Sequence, residues 1–167
     1  FETGSVPSNV TLDQTTADLD PLLVADSSTG VWSPSEGTYY LEVERNAGGE
    51  VYMDISVDLS GESQVYIQFD WIKDWAAGSG LADEGVWLSD DDGATFVQLE
   101  YIDLNGDPAQ GTWVTGISTQ LDTDGPVSGT RPSFNSTNVI RIIWNAGSSW
   151  ADVSGIDNIT IESGTAP

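Results

Sequence analysis

From residue 38 onward the chain alternates apolar and polar side chains. TYYLEVE (38–44) sets Leu41 and Val43 on one face and Tyr40, Glu42 and Glu44 on the other. VYMDISVDL (51–59) points Val51, Met53, Ile55 and Val57 one way and Tyr52, Asp54, Ser56 and Asp58 the other. VYIQFDWI (65–72) divides Val65, Ile67, Phe69 and Trp71 from Tyr66, Gln68 and Asp70. Alternation of this kind marks strands with one face on a core and one toward water. GVWLS (85–89), ATFVQLEYI (94–102), TWVTGISTQL (112–121), NVIRIIWN (138–145) and IDNITIE (156–162) read as further strands. Residues 1–37 look irregular, with short scattered strands. Polar and glycine-rich stretches at 74–85, 103–111, 122–138 and 146–155 read as loops. Roughly eight to ten short strands between regular turns predict an all-β sandwich of two antiparallel sheets. The long connections suit a jelly roll. We expect one domain over 1–163, with 164–167 beginning a linker.

Composition narrows the chemistry. The 167 residues suffice for a core without covalent staples, and there is no cysteine to make any. Histidine is also absent, which removes imidazole as a base or a metal ligand. Lys73, Arg45, Arg131 and Arg141 are the only strong cations against 27 acids, and the formal net charge is −23. Such a surface repels nucleic-acid phosphates and anionic lipid, so neither partner is expected. It suits solubility in salty water, and clustered acids would attract cations. No apolar run reaches the length of a membrane span. The chain reads as part of a longer, exported bacterial polypeptide, extracellular or at the cell surface.

LSDDDGATF (88–96) invites a metal assignment, but an EF-hand loop would need Leu88 and Leu99 to be acids. Ser89, Asp91, Gly93, Thr95 and Phe96 instead fit S-x-D-x-G-x-T-aromatic, which resembles the Asp-box hairpin of secreted β proteins. That box is structural: Asp91 accepts N–H groups across the turn, Gly93 takes positive φ, and Phe96 is expected to anchor the hairpin in the core.

The opening FE (Phe1, Glu2), SEGTYYLEV (35–43) and the closing GIDNITI (155–161) together resemble the jelly-roll carbohydrate-binding modules of secreted bacterial enzymes and the related MAM-like sandwiches. The resemblance implies a structural calcium held by Glu2 and Asp157, with Ser35 or Glu36 at the loop; Glu36 completes the expected metal set. Calcium takes six to eight hard oxygens, so a clip between the chain's first residues and its last strand is chemically sensible.

Seven tryptophans and five tyrosines exceed the needs of a core. Trp71 and Trp144 are expected inside. Tyr40, Tyr52 and Tyr66 share outward strand positions with Gln68, Asp70, Arg141 and Asn145, while Trp75 and Trp150 lie in loops. Aromatic rings beside such polar groups suit a sugar, whose C–H face stacks while its hydroxyls hydrogen-bond. Two binding surfaces therefore stand open: the strand face and the loop tryptophans. Sequons occur at Asn9, Asn135 and Asn158; the last lies inside the final strand and is discounted, and the first two matter only in a glycosylating host.

Three functions compete. One is a non-catalytic carbohydrate-binding module, a monomer that holds a polysaccharide beside neighbouring domains of its own chain. The second is a structural or adhesive calcium-binding sandwich of a surface, fibre or matrix protein. The third is a carboxylate enzyme, which the sequence disfavours because no acids are recognisably paired in an apolar setting.

Overall fold

A computed structural model describes residues 4–14, 23–25, 32–44, 50–73, 84–102, 111–123, 125–145 and 153–167. Within them run ten strands: β1 Val10–Gln14, β2 Leu23–Ala25, β3 Tyr40–Glu44, β4 Glu50–Val57, β5 Val65–Lys73, β6 Gly85–Ser89, β7 Val97–Tyr101, β8 Val114–Gln120, β9 Asn138–Asn145 and β10 Val153–Ser163. They form two five-stranded sheets, β1-β4-β9-β6-β7 and β2-β3-β10-β5-β8. Every pairing is antiparallel. The all-β sandwich expected from the alternation is the fold observed.

The alternation also set the inward faces. Val51, Met53 and Ile55 of β4 lie opposite Trp144, Ile142 and Ile140 of β9, and all six are buried. Val65, Ile67, Phe69 and Trp71 of β5 meet them from the second sheet in one continuous core. Each such side chain contributes about 1.5–3 kcal/mol of burial. That outweighs the cost of the Trp71 and Trp144 indole N–H groups, which find no acceptor among the described residues.

Two local departures shape the rest. In β10 the register shifts between Asp157 and Thr160, giving this strand one residue more than β5 over the same stretch. Asn158 sits there at φ 49°, a left-handed conformation that Asn tolerates better than most residues. At the other edge, Val127 N–H bonds to the Gln98 carbonyl at 2.8 Å, so the 125–128 segment covers the open side of β7. Gly164 and Ala166, where a linker was expected to begin, hydrogen-bond to Gln64 O and Gln120 Oε1.

Candidate functional site

The hairpin between β6 and β7 closes as the Asp-box pattern implied. Asp91 accepts from Ser89 Oγ (2.7 Å), Thr95 N (2.8 Å) and Thr95 Oγ1 (2.7 Å), while Ser89 Oγ accepts from Gly93 N (3.0 Å). Those donors, Thr95 N–H foremost, lower the Asp91 pKa to about 2. Asp90 is spoken for as well: its carboxylate accepts Ser133 N–H at 2.8 Å, and its carbonyl accepts Asn135 Nδ2 and Thr137 Oγ1. The box is therefore a turn pinned to the segment before β9, and the Asn135 amide is part of the pin. Phe96 departs from expectation. Its ring is half-buried outside the core cluster, with the Arg141 guanidinium 3.8 Å from its centroid.

The outer face of the second sheet is half covered. The polar positions of β3, expected to face water, are buried: Tyr40 is 0% and Glu42 1% exposed. A strap over residues 32–38 lies across them. Trp32 N–H donates to the Tyr40 hydroxyl, which itself donates to Glu42, and Trp113 stacks edge-on against the Tyr40 ring. Trp113 Nε1 donates to Ser33 O at 3.0 Å, tying the strap to the segment before β8. A Cβ at Gly155 would come within 3.0 Å of the Tyr40 ring and of Ile72, so glycine is what lets these layers close.

Ser35 fastens the strap. Its hydroxyl lies 2.7 Å from Asp70 Oδ2 and 3.0 Å from Asp157 Oδ2, two carboxylates directly opposite each other on β5 and β10. Asp157 Oδ2 also accepts Ser35 N–H and Glu36 N–H, and Oδ1 accepts Asn158 N–H at 2.8 Å. Asp70 Oδ1 accepts Gly116 N–H at 2.8 Å. Both acids are 3% exposed, so Asp70 is a structural acceptor under the strap. Tyr66 and Gln68 lie farther along β5 and remain half-exposed, with Tyr66 donating to Glu162 at 2.8 Å.

The outer face of the first sheet carries a different cluster. Arg141 of β9 pairs Nε and Nη2 with the two oxygens of Asp54 at 2.6 and 2.7 Å. Its guanidinium carbon stands 4.2 Å from the Tyr52 ring centroid and 3.8 Å from that of Phe96. The Tyr52 hydroxyl donates to Asp13 at 2.9 Å. Trp87 of β6 is directly opposite Arg141 in the register and half-buried. Burial works against the Arg141 charge, but the Asp54 hydrogen bonds and nearby acids outweigh it and raise its pKa. Desolvation, then the Asp13 hydrogen bond, raises that of Tyr52, so the phenol stays neutral. The ion pair is about one-fifth exposed and adds little stability. Its effect is positional: a flat cation is fixed against two rings, with a third aromatic beside it.

The residues predicted to bind ligand are thus not brought to one platform. Tyr52 and Arg141 share the first sheet's outer face, and Tyr40, Tyr66, Gln68 and Asp70 the opposite one. Asn145 closes β9 opposite Glu50. Trp75, Trp150 and Glu2 lie outside the described residues. Sequence reading missed the partnership of Asp13, Asp54, Trp87 and Phe96 with Arg141. Strand parity on β1, β4 and β6 carries that signal once the pairing is known.

A cleft of about 540 Å³ opens between the sheets beside the β10 bulge. Val10, Met53, Ile55, Ile159 and Ile161 wall it, and Asn9, Glu36, Asp157 and Asn158 supply polar groups. Two of the three expected calcium ligands, Glu36 and Asp157, therefore share one opening. Oδ2 of Asp157 is already saturated by Ser35 and Glu36, which leaves Oδ1 as its available oxygen. Among the described residues no three carboxylates gather as a metal site.

No family model matches the chain, and no curated protein matches it in sequence. Solved structures do match. TmCBM61, a carbohydrate-binding module solved with β-1,4-galactotriose, superposes with a TM-score of 0.60 at 12% identity, over 98% of this chain and 94% of that one. The chain shares its β-sandwich fold with that module. A structure described under the promiscuous specificity of carbohydrate-binding modules from the β-sandwich superfamily matches at TM-score 0.54 and 12% identity, over 98% of this chain and 60% of that one. The enzymatically active domain of tailspike protein 4 from bacteriophage CBA120 matches at 0.55 and 13%, over 97% of this chain but 20% of its own.

Proposed function

We propose that this domain is a non-catalytic carbohydrate-binding module of a secreted multidomain protein, and that glycan binds on the outer face of the first sheet. The observation that carries the reading is the Tyr52–Arg141–Phe96 stack beside Trp87. It is a half-exposed aromatic surface, held by hydrogen bonds to Asp13 and Asp54, in a fold whose solved examples include a galactotriose complex. Pre-set rings and fixed hydrogen-bonding groups lower the entropy lost on binding a flexible chain. A non-catalytic role is supported by Asp70 and Asp157: these facing acids are each 3% exposed and are held by the Ser35 hydroxyl and by backbone N–H groups. In a longer chain such a domain raises the effective concentration of polysaccharide at its neighbours.

The calcium part of the reading rests on Glu36 and Asp157. With Oδ1 of Asp157 they offer part of an oxygen set, to which Glu2 would add. Calcium there would supply cross-linking of the strap to β10 and no chemistry. Titration of soluble glycans against the domain's tryptophan fluorescence tests the main reading. A saturable shift with at least one polysaccharide is expected, and silence across a broad panel contradicts it.

A further inference from the structure

We propose that the glycan this face takes is uncharged, and that uronate-bearing and sulfated chains are rejected; this rests on the carbohydrate-binding reading above. On the outer face of the first sheet the described residues carry one cation, Arg141, against the acids Asp13 and Asp54. Arg141 is committed: two of its nitrogens bond Asp54, and its plane lies against Tyr52 and Phe96. Arg131, the other guanidinium among the described residues, donates to the Leu121 and Gly125 carbonyls and braces a loop.

Recognition of a carboxylate or sulfate ester depends on charge-assisted bonds from an available cation, most often a bidentate Arg. This face provides acceptors at that position. Asp13 accepts the hydrogen bond of the Tyr52 hydroxyl, Asp54 accepts those of Arg141, and an anionic group on the ligand would meet both carboxylates. The field of a chain with net charge −23 adds to the penalty at low ionic strength. A neutral sugar has hydroxyls that donate to these same acceptors and C–H faces that stack on the rings.

The test uses polysaccharides matched except in charge, such as a neutral β-glucan and galactan with their carboxymethylated and sulfated derivatives, followed by tryptophan fluorescence at about 0.01 M and about 0.5 M salt. The inference expects the neutral polymer to bind with little salt dependence. The charged derivative should bind about fivefold or more weaker at low salt, a deficit that narrows as salt screens it. Asp13→Asn keeps an acceptor for Tyr52 and removes a charge, and should raise the ratio of anionic to neutral affinity. Equal or tighter binding of the charged derivative at low salt overturns the inference and leaves carbohydrate binding standing. Absence of binding to every polymer overturns both.

Discussion

Ser35 places one hydroxyl between two buried carboxylates; Asp157 also accepts the Ser35, Glu36 and Asn158 N–H groups, and Asp70 that of Gly116. Ser35→Ala leaves Asp70 and Asp157 facing each other without that bridge. It is expected to destabilise the domain by about 1–3 kcal/mol, read from the shift in urea midpoint. Asp91 is sensitive to pH. Its folded pKa is depressed from 3.8 to about 2, so its contribution to the hairpin is present above the ordinary value and is lost as pH falls toward about 2. A carboxyl NMR titration of Asp91 should show its midpoint near 2; a midpoint near 4 would mean that the Ser89 and Thr95 bonds are not made. The sequence disclosed this box because its donors and acceptor lie within seven residues. It misplaced Phe96, because the partner that draws that ring to the surface, Arg141, is on another strand.

Strands were the most legible elements. Alternation in 51–59 and 65–72 named the inward residues correctly, since a half-buried strand has to repeat with the pleat. The same alternation failed on β3, where Tyr40 and Glu42 occupy the outward positions and are buried all the same. What covers them is the 32–38 strap, tied down by Trp113, while glycine at 155 makes room for the Tyr40 ring; both lie far along the chain. Gly155→Val puts side-chain atoms into the Tyr40 and Ile72 contact and should cost about 1–3 kcal/mol, with the Trp113 fluorescence environment altered. An unchanged Tm would mean that the Tyr40 ring is not packed on β10.

For the whole molecule, the fold was legible and the site only in part. Two outer faces of a sandwich present the same polar-aromatic pattern in sequence, and only the strand order separates Tyr52 and Arg141 from Tyr66 and Gln68. A calcium ion held by Glu36 and Asp157 would bind the folded state alone. Ligand at about 100 times its Kd would add about 2.7 kcal/mol, so EDTA should lower Tm by about 5–10 °C. An unchanged Tm would remove Glu36 and Asp157 as ligands. The most direct measurement of the central claim is the affinity of one soluble neutral glycan for the wild type, Tyr52→Ala and Tyr66→Ala, each checked for intact folding. Binding at the first sheet's outer face predicts a loss of about tenfold or more in Tyr52→Ala and near-wild-type affinity in Tyr66→Ala. The reverse pattern, or equal affinity in all three, would contradict it.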